Sequence, residues 1–390
     1  MSSTSGRLPL EGVTVVEFGH SVAAPYGGQI LADLGARVIK VENPEGGDYC
    51  RQWGPPFWGD TSSMFECLNR GKLSLAVDFA DPKAAEALRR LIVEEADAVI
   101  QNLRAGALTR FGLDADTLRG LKPALVWCDI GAFGKTGPLA HKPGYDPLMQ
   151  AFTGIMSVTG TGAGDPVRVG VSMVDMGSGM WTVIGLLASL LGVAKGRKSV
   201  DVATSLFETG LAWGTVPLAA YAASNTMRRP FGSGVAEIVP YQAFETRDGW
   251  LMVAAGNDNL FRRLCKALEQ PDLANDPRFL TNPDRVANRD ALLALLSELI
   301  AGHERAEMER RLDAAGVPNS PLQSVDQVLH HPQTREVGLL ETSDGDTLPL
   351  VGTPILLDGR RPRTTARAPK LGEHNASILG KYLALANTPV

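Results

Sequence analysis

A chain of 390 residues, 44% hydrophobic and 21% charged, has the composition of an ordinary soluble globular protein, and its length suggests two or three domains. Its net charge of −5, with no long basic run, argues against a nucleic-acid binder, which needs a basic face or stripe. The four cysteines, Cys50, Cys67, Cys128 and Cys265, lie far apart, with no CxxC and no neighbouring His pair, so neither a disulfide framework nor a zinc site is expected.

The N-terminal stretch MSSTSGRLPLEGVTVVEFG has no apolar signal core and no Arg-rich amphipathic targeting helix, and with the cysteine pattern it points to the cytoplasm. VTVVEF (13–18) reads as a buried strand, and APYGGQILADLGA (24–36) as a helix with small residues where it must pack closely. RVIKVE (37–42) and KLSLAVDF (72–79) follow as strands. DPKAAEALRRLIVEEA (81–96) reads as a helix capped by Asp81 with Pro82 in its first position. Its Ala84, Ala87, Leu88, Leu91 and Ile92 keep helical spacing. ADAVIQNL and PALVWCDIGAFG add two more strands. This alternation predicts an α/β fold, a mainly parallel sheet with helices on both faces.

KPGYDPLMQAFTGIMSVTG (142–160) places one carboxylate, Asp146, in a run otherwise uncharged after Lys142. Asp before Pro at a helix start is a common cap, and a carboxylate displayed at a helix N-terminus is equally a nucleophile's position. TGTGAGDP (159–166) reads as a flexible surface loop. MGSGMWTVIGLLASLLGVA (176–194), 19 uncharged residues, is long enough to span a bilayer. Its Gly, Ser and Ala content, the Asp175 before it and the lack of a second such span favour a domain interior or subunit interface over a membrane.

Near residue 225 the pattern changes to Pro, Gly and short alternating strands, with Asp248-Gly249 as a hairpin turn. Leu292, Leu295, Leu296 and Leu299 then share a helical face, and a further helix ends at Gly316. The division expected is a large domain over 1–224, completed by 326–390, and a small α+β domain over 225–325. The Pro- and Arg-rich tail from 335 reads as surface-wrapping strand and loop.

No G-x-G-x-x-G, P-loop, H-E-x-x-H or G-x-S-x-G motif is present, so no metal and no permanently bound cofactor are expected. His20 follows the first strand, where ligands approach α/β sheets, and a structural role fits it as well. Arg70, Lys72 and Arg104 flank strand ends. Singly they read as solvated charges, and together they could hold the phosphates of a large anionic cofactor. FGSGVAE (231–237) places Gly232 and Gly234 around Ser233, a loop able to approach a ligand closely.

LEGVTVVEFGHSVAAPYGGQILADLGARVIKVENPEGGD, NRGKLSLAVDF, NLRAGALTRFGL, GYDPLMQAFTG and APKLGEHNASILG occur in this order over nearly the whole chain. Together they resemble the class III CoA-transferases. The resemblance implies a Rossmann-like large domain that binds CoA, a smaller domain, and a homodimer of two interlocked ring-like subunits. It implies Asp146 as nucleophile, CoA contacts from His20, Asn69, Arg70, Lys72, Asn102 and Arg104, and a lid at Gly232, Ser233 and Gly234. The implied reaction moves CoA between two carboxylic acids through an aspartyl anhydride and an aspartyl-CoA thioester, with the CoA thioester as substrate. Val22 stands where formyl-CoA transferase has a glutamine, which disfavours oxalate and leaves room for a larger acid. A short dicarboxylate with succinyl-CoA as donor is the expected pair. Tyr145 stands where the related α-methylacyl-CoA racemases have a histidine. Racemisation needs an acid and a base on opposite faces of the substrate, so a racemase is second choice, and a non-catalytic CoA binder third.

Overall fold

Alternating apolar residues on successive strands fix the sheet. In the computed structural model, which describes residues 8–162, 165–227, 229–342 and 348–386, β1 (Thr14–Phe18), β2 (Arg37–Glu42), β3 (Leu73–Ala76), β4 (Ala98–Gln101), β5 (Val126–Gly131) and β6 (Asp201–Ser205) form one sheet. Its order is β3-β2-β1-β4-β5-β6 and every pair is parallel. That is the order of the doubly wound folds, in which the crevice between β1 and β4, where the winding reverses, is the usual ligand site.

Because side chains alternate, each face builds its own core. Val16, Ile39, Leu75, Val99 and Trp127 meet Ala84, Ala87, Leu88, Leu91 and Ile92 of α2 (Pro82–Glu95). Val15, Val38, Ile100 and Val126 meet Ala24 and Leu31 of α1 (Ala23–Asp33). Asp81 caps α2 through a bond from the Lys83 amide.

The chain divides into two units, Met1–Thr153 with Gly170–Trp213 and Pro332–Val390, and Gly154–Val169 with Gly214–His331. The first holds the parallel sheet, α3 (Asp146–Phe152), α4 (Met173–Ala194) and α5 (Leu206–Trp213). The second holds α6 (Thr215–Ser224) and an antiparallel sheet of β7 (Tyr241–Thr246), β8 (Gly249–Ala254) and β9 (Asn319–Pro321). The sheet's Phe244, Leu251 and Val253 share a core with Phe261, Leu292, Leu296, Ile300 and Met308. The hairpin's two turn residues are Arg247 and Asp248, one position earlier than the sequence indicates, because Thr246 pairs with Gly249.

Two features depart from the sequence reading, the strand β6 and the tail. β6 went unread because its residues 201–204 alternate between exposed and half-buried positions at the sheet edge and form no apolar run. The tail does not end as surface loop: Asn375 bonds both backbone groups of Ala76, and the turns after it bury Ile378, Leu379 and Tyr382 against α2. Helix α4, long and apolar enough to cross a membrane, is not enclosed on all sides within this chain. Val174, Ser178, Thr182, Val183 and Leu186 are buried, while Met180, Trp181, Ile184 and Leu191 are exposed. The first seven residues, and 163 and 164 of the glycine-rich run, lie outside the described residues.

Helix α4 meets α1 backbone to backbone. A Cβ on Gly179 would lie 2.5 Å from the Ala23 carbonyl oxygen and 3.1 Å from the Gly27 nitrogen. Gly179→Ala should therefore destabilise the protein by about 1–3 kcal/mol. Gly192→Ala in the same helix, where a Cβ meets nothing within 4 Å, should be neutral or stabilise by up to about 1 kcal/mol. Urea unfolding of both variants checks the pair, and equal effects would show that α1 and α4 do not meet this closely.

Candidate active site

The turn after β1 lies at the switch point and rests on buried charges. Glu17 on β1 stands opposite Lys40 on β2, and both are fully buried. Lys40 Nζ reaches Glu17 Oε1 at 3.1 Å, Asp48 Oδ2 at 2.9 Å and the Gly19 carbonyl at 2.6 Å. Asp48 Oδ1 accepts the amides of Ser21 at 3.0 Å and Cys50 at 2.9 Å. Lys72 Nζ completes the cluster at 2.8 Å from Glu17 Oε2, with Arg51 paired to Glu42 beside it. Three carboxylates thus face three cations, the condition for keeping such charges from water.

This cluster holds Ser21 at φ 67° and carries His20 over the crevice. The backbone of His20 makes two bonds with Asn102 at the end of β4, 3.0 Å to Oδ1 and 2.9 Å from Nδ2. The ring is half-buried, edge-on to Tyr49. Burial lowers its pKa, Lys40 adds to that, and Asp48 opposes it, so the imidazole is neutral at neutral pH. Val22 is buried against Cys50, Phe65 and Leu68, while Arg104 stands exposed.

Arg70 and Lys72 are placed otherwise than the sequence suggested. They are not solvated cations open to a phosphate, because each is 2% exposed and committed to a carboxylate. Arg70 Nη2 lies 2.6 Å from Asp33 Oδ2, and Lys72 also bonds the Pro25 carbonyl and Asn69 Oδ1. Asn69 is fully buried and serves that same cluster. A cleft of about 570 Å³ is lined instead by Phe79, Glu86, Arg89, Arg110 and Phe111, with Arg89 paired to Glu86. The Arg110 guanidinium lies over the Phe111 ring at 4.5 Å, and Phe79 packs against that ring at 5.6 Å. Arg110 and Phe111 stand in NLRAGALTRFGL, the stretch from which the sequence reading took only Asn102 and Arg104.

Asp146 is 2% exposed and opens α3, but it does not cap that helix, whose N-cap is Tyr145. Its Oδ2 accepts the Val174 amide at 2.7 Å and the Asp175 amide at 3.2 Å, both in the first turn of α4. Its Oδ1 accepts Gln150 Nε2, one turn further along α3, at 2.6 Å. The carboxylate therefore sits at the positive end of a 22-residue helix from elsewhere in the chain, where negative charge is favoured. Asp175 titrates high: burial and the charge of Asp146 push its carboxyl up to about 7. Gln150 and Asp175 were not singled out from sequence, although the acid ahead of the apolar run was visible. Tyr145 is 56% exposed.

In the second unit, Gly232 has φ 66° and gives its amide to the Gly160 carbonyl, while Ser233 Oγ accepts the Ala243 amide. The glycine loop is thus tied to its own unit by one backbone bond and one to the Ser233 side chain.

A doubly wound parallel sheet with an ordered turn at its switch point, and a buried carboxylate held by the amides of a helix N-terminus, define an α/β protein of the doubly wound class. The chain matches the CoA-transferase family III over residues 10–375 and belongs to that family of enzymes. It is 36% identical over 391 residues to the succinate–glutarate CoA-transferase of Agrobacterium fabrum, covering 98% of each chain. It is 35% identical over 378 residues to the acetyl-CoA:oxalate CoA-transferase of Acetobacter aceti, covering 96% of each. The crystal structure of a CAIB/BAIF family protein from Brucella suis matches with a TM-score of 0.87 at 38% identity, covering 97% of this chain and 100% of that one.

Lys72→Met should destabilise the fold by about 3–5 kcal/mol, because it leaves the buried Glu17 carboxylate one cation short. Adding Glu17→Gln should recover part of that loss in denaturant unfolding. An unchanged unfolding curve with a raised KM for acyl-CoA would instead make Lys72 a phosphate ligand.

Proposed function

We propose that this enzyme transfers CoA from succinyl-CoA to a short dicarboxylic acid by covalent catalysis at Asp146. The observation that carries this reading is the Asp146 carboxylate itself, which is buried and held by the Val174 and Asp175 amides. The relatives' names supply the substrate class, since succinate, glutarate and oxalate are all short dicarboxylates.

Asp146 Oδ1, once Gln150 yields it, attacks the thioester carbonyl, giving a mixed anhydride and CoA thiolate. The thiolate attacks the aspartyl carbonyl, which releases the donor acid and leaves an aspartyl-CoA thioester. An acceptor carboxylate then attacks that carbonyl, and the freed thiolate takes the new acyl group from the anhydride. In both attacks on Asp146 the negative charge develops on Oδ2, where two backbone N–H groups already point. Each CoA sulfur bond broken is remade, so the reading requires no ATP, metal or resident cofactor.

CoA in this reading lies over the switch point, near His20, Asn102 and Arg104, with its nucleotide end toward the Phe79–Arg110–Phe111 cleft. Asn69, Arg70 and Lys72 support that surface from beneath. Val22 and Tyr145 border the acid. The working form is a homodimer in the cytoplasm, its subunits interlocked. A second copy would cover Met180, Trp181, Ile184 and Leu191 of α4, and would cover α6, none of whose ten residues is buried. A racemase reading gains nothing here, because exposed Tyr145 is no substitute for a histidine base.

Succinyl-CoA incubated with a panel of acids, including glutarate, oxalate and monocarboxylates, should give new acyl-CoA by mass spectrometry with short dicarboxylates preferred. Asp146→Asn should fold normally and lose roughly three orders of magnitude or more in turnover. If Asp146 were only a helix cap, Asn would serve nearly as well. Sedimentation without detergent should show a dimer at micromolar concentration, and a monomer, or a chain soluble only in detergent, would contradict the interface reading of α4.

A further inference from the structure

The second unit carries a pair of cations that the reaction above does not use. Arg229 and Arg289 share one aromatic ring: the Arg289 guanidinium lies 4.6 Å from the centroid of Phe231, and that of Arg229 lies 5.2 Å from it. Phe231 opens the glycine loop, directly before Gly232, and all three side chains belong to the same unit. Arg289 starts the helix Arg289–Ala301 and is half-buried and fixed. Its Nη2 donates to the Val235 carbonyl at 3.0 Å and to the Ala236 carbonyl at 2.5 Å. Arg229 is exposed and, among the described residues, makes no hydrogen bond or ion pair.

Elsewhere in this unit the arginines hold acids: Arg278 pairs with Asp276, Arg285 with Asp258 and Arg311 with Glu269. Arg229 and Arg289 pair with none among the described residues, and two guanidiniums drawn to one ring repel each other. Burial lowers the pKa of Arg289 and the charge of Arg229 lowers it further, with exposed Asp290 opposing both. A bound anion relieves that repulsion. We propose that Arg229 and Arg289 form an oxyanion site, which takes a carboxylate or phosphate group on both guanidiniums with the Phe231 ring as its apolar wall. The planar guanidinium fork matches two oxygens of either group. Two substrates of the proposed reaction carry this chemistry, the dicarboxylic acid in the carboxylate that does not react and CoA in its phosphates. The inference rests on that reaction for the choice of ligand and not for the existence of the site.

The test titrates glutarate and free CoA into the full-length enzyme by calorimetry and measures KM for glutarate and for succinyl-CoA. Arg229→Gln, at an exposed position with no hydrogen bond to lose, should unfold at the wild-type Tm. It should weaken one of the two ligands about tenfold, the order of a lost charged hydrogen bond, and Arg229→Lys should restore most of that loss. A loss for glutarate with free CoA unchanged assigns the site to the acid. KM for glutarate should then rise about tenfold while that for valerate, a monocarboxylate of the same length, stays put. A loss for free CoA with glutarate unchanged assigns the site to a phosphate, and KM for succinyl-CoA should rise instead. Affinities and KM values of Arg229→Gln equal to the wild type for both ligands would overturn the proposal. So would an equal loss in Arg262→Gln, an exposed cation of the same unit, because bulk charge would then explain the effect. An enzyme that binds either ligand through Arg229 yet transfers no CoA would sink the reaction and leave the site standing.

Discussion

The contact between the Asp146 carboxylate and the first turn of α4 organises this molecule. A buried carboxylate without partners is costly, and a hydrogen bond to a charged group is worth about 1.5–3 kcal/mol, so the amides of Val174 and Asp175 decide whether that carboxylate can sit there. Those amides are in place because α4 packs on the sheet, and it packs closely because Gly27 and Gly179 let α1 and α4 meet at their backbones. Sheet, glycine contact, helix terminus and carboxylate form one chain of support. The same contact that satisfies the acid at rest faces the oxygen on which charge develops in the proposed reaction.

A second constraint lies on the same face of the sheet, under the His20 turn. Glu17, Glu42 and Asp48 balance Lys40, Lys72 and Arg51, and the cluster closes over a glycine: a Cβ on Gly28 would sit 2.0 Å from Glu17 Oε2. Such a cluster contributes little net stability compared with an apolar core of equal volume. It does fix the Gly19–Ser21 backbone through the Lys40 and Asp48 contacts, and with it the position of His20 between β1 and β4. The two centres differ in kind: the cluster is neutralised, whereas the start of α4 holds two acids and no cation among the described residues.

Much of the fold was legible because its signals are local. The first five strands, and the Asp81 cap with its following apolar spacing, were readable from residues near in sequence. What was not legible depends on distant partners. Arg70 and Lys72 look like surface cations in NRGKLSL, and only the tertiary fold supplies Asp33 and Glu17 to them. Asp146 looks like the cap of its own helix, and only packing brings it the amides of another. The edge strand β6 lacks an apolar run, and the closing helix is pinned by Asn375 to a strand end some three hundred residues earlier, so neither carries a strong local pattern. The family resemblance was legible from motifs in order along the chain, whereas the place of Asp175 beside Asp146 was not, since packing alone brings the two together.

The central claim is that Asp146 becomes covalently modified during turnover. The most direct measurement is mass spectrometry of the enzyme exposed to succinyl-CoA without an acceptor and quenched with hydroxylamine, followed by peptide mapping. An aspartyl-CoA thioester or anhydride predicts a hydroxamate confined to the Asp146 side chain, appearing only when acyl-CoA is supplied. A preparation that turns over normally yet yields unmodified Asp146 in every peptide would contradict the account.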